Sequence, residues 1–317
     1  MTRWLSNATV AHLRRVAGWP DLGETKYRVV GELGRGGMGT VYLAEDTALG
    51  RRVALKVVAT AASAPEAAER MLREARILAG LEHPGIVPVH DAGALPDGRV
   101  FYAMKRVDGL RLDALAGTLA LAERLRIFRR ICEAVAFAHA RGVIHRDLKP
   151  ENVMVGSFGE VLVMDWGVAK VLSDPASPGS PAAGGATGTA DGTVIGTPDY
   201  MAPEQAEGAV ERTGPRADVF ALGGILGFLL RPEPSPPRPL SAVIAKAKAR
   251  LPEDRYATAG ELSAEIARYL EGERVLAHEE GVFERAGRVF ARYRAAILLV
   301  AAYLVVRTLI LLFRAHT

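Results

Sequence analysis

The chain reads as an α+β protein of two unequal lobes, β-rich first and helical after, on the strength of three observations. Apolar and polar residues alternate over Tyr27–Leu33, Thr40–Glu45 and Arg52–Val58, the period-2 pattern of half-buried strands. A further strand-like run, Val100–Val107, leads into a linker at Asp108-Gly109. From Leu121 onward the spacing turns helical, beginning with the Ala/Arg/Leu-rich run through His139. The lobe boundary is therefore expected near residue 107. Before Val100, Pro65 at a first turn opens an expected helix over Glu66–Leu81, with Leu72, Ala75, Leu78 and Leu81 at helical spacing. Residues 1–26 are expected to lie outside this core, as a short amphipathic helix around Thr9–Arg15 and a break at Gly18-Trp19-Pro20.

Composition bounds the function classes. The 317 residues, 49% hydrophobic and 24% charged, suffice for one large core or two lobes and exclude a disordered chain. Six arginines and no acid beyond residue 284 carry +6 against a total of +4, so residues 1–284 sum to −2. A nearly neutral folded part speaks against nucleic acid as a partner, since phosphate neutralisation needs a basic patch. Cys132 is the only cysteine, which rules out an intrachain disulfide and fits a reducing compartment. The default for it is a buried helical position. The polar interruptions near Met1 do not read as a signal peptide.

Chemistry concentrates in one stretch. His145-Arg146-Asp147-Leu148-Lys149-Pro150-Glu151-Asn152 is followed, thirteen residues after Asn152, by Asp165-Trp166-Gly167. A proton acceptor, a phosphate-facing lysine and two oxygen ligands for Mg²⁺ thus fall within about twenty residues, the set that phosphoryl transfer from Mg-ATP requires. Upstream, Gly34-x-Gly36-x-x-Gly39-x-Val41 lies between two strand-like runs, where missing Cβ atoms let backbone amides approach phosphates. Alone, that loop reads equally as an ordinary turn. A dinucleotide loop needs a helix straight after it, and Thr40–Ala44 looks like a strand. Lys56, in Val53-Ala54-Leu55-Lys56-Val57, follows Gly39 by seventeen residues; in isolation it reads as a solvated strand lysine.

At these motifs the chain resembles the eukaryotic-like (Hanks-type) bacterial serine/threonine protein kinases over about three quarters of its length. The resemblance implies a two-lobed protein kinase fold over residues 27–270, divided at 107/108, with an activation segment at 165–204. It implies ATP and Mg²⁺ as cofactors and Ser/Thr hydroxyls of proteins as acceptors. Asp147 takes the place of the catalytic base, and Lys149 neutralises the transferred phosphate and points to Ser/Thr specificity. Asn152 and Asp165 take the metal positions. The ATP site falls on Leu33, Gly34, Gly36, Gly39, Val41, Ala54, Lys56, Met104, Val107 and Met154, with Met104 at the back of the adenine pocket and Lys105-Arg106-Val107 as the hinge. Glu74 is the favoured partner of Lys56, with Glu66 and Glu69 as alternatives. His83 and His145 read as structural. Trp166 departs from the usual Phe but keeps a large ring able to stack on His145.

Gly196-Thr197-Pro198-Asp199-Tyr200-Met201-Ala202-Pro203-Glu204 resembles the segment that seats the substrate. Glu204 is expected to pair with Arg255, and Asp218 to cap the catalytic-loop backbone. Arg146 is placed to meet a phosphothreonine at Thr187, Thr189 or Thr193 in the Gly/Ala/Ser/Thr-rich residues 168–201, expected to be mobile unless pinned. Thr197 is expected to contact Asp147. Autophosphorylation there is the expected switch, through a homodimer if it occurs in trans.

Two further features depart from that pattern. Only Arg231–Pro239 separates the helix ending near Leu230 from the one beginning near Leu240, where relatives usually place several dozen residues including a docking helix. At the other end, twelve Leu, Ile, Val and Phe residues between 295 and 313 read as a hydrophobic anchor helix crossing the membrane once. Residues 271–294 read as a basic juxtamembrane helix on an anionic inner leaflet, with the kinase in the cytoplasm. A membrane-tethered pseudokinase that binds nucleotide without chemistry is the rival reading, and a small-molecule kinase lacks support.

Overall fold

The computed structural model describes residues 18–36, 39–58, 75–76, 78–166, 170–171, 199–207 and 213–315. Its first lobe is a five-stranded antiparallel sheet of β1 (Tyr27–Gly36), β2 (Gly39–Asp46), β3 (Arg51–Val58), β4 (Val89–Ala94) and β5 (Val100–Lys105), ordered β1-β2-β3-β5-β4. The alternation legible in the sequence sorts the two faces. Tyr42, Ala44, Val53, Leu55, Val57, Phe101 and Ala103 form the lobe's own core, joined by Leu22 and Leu95. The opposite face carries Val41, Ala54, Lys56, Tyr102 and Met104, because the partners Val41–Lys56, Lys56–Tyr102 and Ala54–Met104 stand side by side.

Strand β4 is not expected from the sequence: His90-Asp91-Ala92-Gly93 shows no apolar alternation. It lies at a sheet edge, where backbone pairing on one side suffices and polar residues are tolerated. Asp91 uses that position to accept from the Tyr27 hydroxyl at 3.0 Å and to pair with Lys26 at 3.0 Å. The helix expected over Glu66–Leu81 falls largely outside the described residues, but Ala75, Leu78 and Leu81 are buried. The expected helix around Thr9–Arg15 lies outside them altogether.

The second lobe opens with short strands. β6 (Gly109–Arg111), β8 (Val153–Gly156) and β9 (Val161–Val163) form one small sheet, and β7 (Val143–Ile144) pairs with β10 (Lys170–Val171). The helices are α1 (Leu112–Leu115), α2 (Leu121–Ala140), α3 (Pro203–Ala206), α4 (Pro215–Leu230), α5 (Arg238–Ala247), α6 (Ala259–Leu270) and α7 (Val282–Ala315). Leu125, Phe128, Ile131 and Val135 of α2 pack into one core with Leu222, Ile225, Leu226 and Leu229 of α4. Helix α4 is apolar all round and buried nearly all round, as an interior helix must be. Cys132 is buried in this core, as expected, and burial pushes its thiol up, away from reactivity.

Arg231–Pro237 is the whole connection between α4 and α5. The buried Arg124 guanidinium of α2 donates to the Leu229 carbonyl and to Glu233, placing a cation at the α4 C-terminus and pinning the connection to the core.

One expectation needs correction. Among the described residues no helix is long and apolar enough to cross a membrane, so the anchor helix at 295–313 is not carried forward as a structural finding. The structure has instead the 34-residue helix α7, on which Leu298, Leu299, Tyr303, Leu304 and Val305 are exposed. Several side chains of α7, those of residues 294–296 among them, lie outside the description.

Phe128 is fully buried where α2 meets α4. Phe128→Ala is expected to lower unfolding free energy by about 3–5 kcal/mol, read from the urea midpoint at constant m.

Candidate active site

The site is organised from beneath by Asp218, in the first turn of α4 and 1% exposed. Its carboxylate accepts from the backbone N–H of His145 and of Arg146, both at 2.8 Å, and from His139 Nε2 at 2.8 Å. Burial drives its pKa up, but the hydrogen bond and field of His139 and the hydrogen bond from the His145 amide outweigh it, so the carboxyl is held below its ordinary range and stays ionised. Two successive amides drawn to one carboxylate bend the chain sharply. Arg146 takes a φ of 69°, a left-handed conformation that a non-glycine residue adopts only when its surroundings impose it. Its carbonyl accepts from Gln205 at 3.0 Å.

His145 links this turn to the strand end that follows β9. Its Nε2 donates to the Met164 carbonyl at 2.9 Å while Nδ1 accepts from the Asp147 amide at 3.3 Å, which requires the neutral Nε2–H tautomer. The Trp166 ring stacks against it, centroids 4.6 Å apart, and Trp166 Nε1 donates to the Val163 carbonyl. The structural roles read for His145 and Trp166 match this packing. His83 likewise accepts from the Gly85 amide and packs on Phe137.

On this platform the reactive groups converge. Asp147 Oδ2 accepts from Lys149 Nζ at 2.8 Å and from Asn152 Nδ2 at 3.2 Å, and the carboxylate is 32% exposed, oriented yet open to a substrate. Asn152 Nδ2 also donates to the Asp147 carbonyl at 2.8 Å, which leaves the amide oxygen as the atom offered to a cation. Asp165, with φ of 58°, turns its carboxylate onto the Lys56 ammonium, 109 residues away and buried. This contact identifies the Val41–Ala54–Lys56–Tyr102–Met104 face of the first lobe as the one that looks into the cleft. Burial alone would lower the Lys56 pKa; Tyr102 and Asp165 more than offset it, holding the value above 10.5 and the ammonium charged.

The other residues expected at the nucleotide are placed by strand register. Gly34 pairs with Val41 and Gly36 with Gly39 at the β1–β2 end, where Leu33 is exposed, and Met154 pairs with Arg111 across β8 and β6. Val107 lies just past β5. Glu74, Thr187, Thr189, Thr193 and Thr197 lie outside the described residues. The donor set fits Mg²⁺: one carboxylate, one amide oxygen and no third acidic or His ligand among the described residues, the sparse arrangement suited to an ion completed by phosphate oxygens and water.

Residues 27–257 match the family model for the protein kinase domain. The chain belongs to the protein kinase family. It is 36% identical over 294 residues to the serine/threonine-protein kinase PknD of Chlamydia abortus, covering 78% of this chain and 31% of that protein. To PknB of Mycolicibacterium smegmatis it is 37% identical over 282 residues, covering 78% and 43%. The chain thus spans well under half the length of these curated relatives. Among solved structures, the PknI kinase domain of Mycobacterium tuberculosis aligns with a TM-score of 0.57 at 29% identity, covering 77% of this chain and 96% of that one.

Within the kinase fold, the pairing expected between the substrate segment and the helical lobe is present. Arg255 donates from Nη1 to Glu204 Oε1 and from Nη2 to Glu204 Oε2, both at 2.8 Å, and three further bonds tie its guanidinium to the backbone carbonyls of residues 249, 216 and 250. His139 is the site residue that the sequence did not point to. A histidine in the last turn of α2 is unremarkable on its own, and only its place six residues before His145 hints at a shared partner.

Arg255 and Glu204 are both buried, so Arg255→Ala strands a carboxylate and is expected to lose about 3–5 kcal/mol in urea unfolding, with Arg255→Lys recovering part. Asp218 and Glu204 are both held below their unfolded values near 3.8 and 4.5. Their contribution is therefore complete above about pH 4.5 and is lost as pH falls through the lower folded values. Urea midpoints across pH 3–7 are expected to drop on the acid side, and less steeply in Asp218→Asn.

Proposed function

We propose that the chain is a serine/threonine protein kinase that transfers the γ-phosphate of Mg-ATP to protein hydroxyls. The observation that carries this reading is the partly exposed Asp147 carboxylate, held by Lys149 and Asn152 in the same cleft as the Lys56–Asp165 pair. In transfer, the acceptor oxygen forms a bond to phosphorus as the bond to the ADP oxygen breaks, and the hydroxyl proton passes to Asp147. Asp147 orients that hydroxyl; Lys149 offsets charge on the phosphoryl oxygens in flight; Lys56 holds the nucleotide's phosphates. Mg²⁺, when bound, neutralises phosphate charge, and Asn152 and Asp165 are the residues to hold it. The names of PknD and PknB support Ser/Thr over Tyr acceptors, as does Lys149.

Three finer elements belong to the same proposal. Autophosphorylation at Thr187, Thr189 or Thr193, within a homodimer where it occurs in trans, would give Arg146 a phosphate partner, and Thr197 would contact Asp147. Leu33, Gly34, Gly36, Gly39, Val41, Ala54, Met104, Val107 and Met154 would surround ATP, with Glu74 as the partner of Lys56 when Asp165 turns to the metal. Helix α7, through its exposed apolar residues and its arginines, would attach the kinase to an anionic membrane, which is supported by Leu298, Leu299, Leu304 and Val305 being 53–72% exposed.

Radiolabel transfer from ATP to a probe protein is expected from the wild-type chain, to fall by about 10²–10⁴-fold in Asp147→Asn, and to vanish on chelation of Mg²⁺. Equal label in wild type and Asp147→Asn would refute the base assignment, and none in either would leave a nucleotide-binding scaffold. In flotation with vesicles containing anionic lipid, the full chain is expected to rise with the vesicles. Leu299→Asp with Val305→Asp is expected to stay behind.

A further inference from the structure

Helix α4 contains two adjacent glycines, and each is occupied by a different neighbour. A Cβ on Gly224 would stand 2.8 Å from Tyr200 Cδ1 and 2.9 Å from the Asp199 carbonyl oxygen. On Gly223 it would stand 2.8 Å from Ala247 Cβ and 2.9 Å from Lys248 Cγ. Successive helical residues point about 100° apart, so the two gaps lie side by side: the start of the segment 199–204 seats in one and the end of α5 in the other. Neither could approach so closely past a side chain.

The two neighbours are also tied to each other. Lys248, the residue that ends α5, donates from Nζ to the Asp199 carbonyl at 3.0 Å, its ammonium 5.1 Å from the Phe220 ring centroid. Arg231, the first residue past α4, pairs through Nη2 with Asp199 Oδ2 at 3.1 Å, its guanidinium 5.5 Å from the Phe228 ring centroid. One residue of the segment is therefore gripped twice, at its backbone by the end of α5 and at its side chain by the start of the short connection. The other end of the segment is fixed by the buried Glu204–Arg255 pair. The Arg231–Asp199 pair is largely exposed, so it adds little to global stability and its consequence is positional.

We propose that Arg231 and Lys248 are positioning residues for the protein substrate, clasping Asp199 so that residues 199–204 hold the geometry on which the acceptor is seated. This rests on the kinase reading above. The short connection after Leu230 then acts directly on the substrate-facing segment, and the Gly223-Gly224 step is what brings it within reach.

Steady-state kinetics of the full chain, with ATP and myelin basic protein as the probe, test this. Arg231→Ala with Lys248→Ala is expected to raise KM for the probe by about 10- to 100-fold, leaving KM for ATP and the melting temperature unchanged. Lys248→Arg should retain most of the wild-type KM. Asp199→Ala, which removes the carboxylate but keeps the carbonyl, should match Arg231→Ala and not be worsened by it. Gly224→Ala should raise KM for the probe more than either. An unchanged KM for the probe, a parallel rise for ATP, or a loss that follows the melting temperature would overturn the proposal. If the wild-type chain labels the probe no more than Asp147→Asn does, the kinase reading itself falls and takes the clasp with it; an active wild type with indifferent variants sinks the clasp alone.

Discussion

A single buried carboxylate sets the geometry of the turn on which the proposed catalytic residues stand. Asp218 sits on the buried helix α4 and faces the turn at residues 145–146, whose two amides point at it together with the His139 imidazole. An ionised group in that position is tolerable only because every one of these donors is in place. The left-handed Arg146 and the placement of Asp147 follow from the bend it imposes. The position of Asp147 is thereby referred to the close-packed core of the helical lobe.

Beside the packing of Leu78, Leu81 and Ile86 into the core of the helical lobe, a charge pair joins the two lobes at the cleft. Lys56 comes from the sheet and Asp165 from the helical lobe, and their contact spans 109 residues. Burial penalises the ammonium, while Asp165 and the Tyr102 hydroxyl across the strand restore it. An ammonium kept charged in a half-dry cleft is what phosphate recognition needs. By the same balance, were Asp165 to turn to a metal as proposed, Lys56 would need a new partner.

What was legible in the sequence follows from how local each signal is. Strands β1, β2, β3 and β5 were readable because a sheet with one face in a core writes period-2 alternation into the chain. The octapeptide at 145–152 was readable because its reactive groups are contiguous. Strand β4, polar and at an edge, leaves no such trace, and neither do the three short strands β6, β8 and β9, whose pairing is decided by the helices packed against them. His139 was invisible for a different reason: its role exists only through Asp218, 79 residues away. The apolar run at 295–313 shows the converse, since composition alone cannot say what covers a helix face.

The short connection after Leu230 changes meaning once seen in three dimensions. From the sequence it reads as a loss, a place where a docking element is missing. In the fold, Arg124 seals the end of α4 against it, and α5 follows at once, close enough for Lys248 to lie against Gly223. A longer insertion would have to leave the surface between α4 and α5 and return, and nothing in that path requires Arg231 to remain beside Asp199. Brevity therefore keeps the cations that follow α4 and α5, Arg231 and Lys248, on the same residue, Asp199. What the short connection preserves is direct contact between the core helices and residues 199–200, where the proposal seats an acceptor.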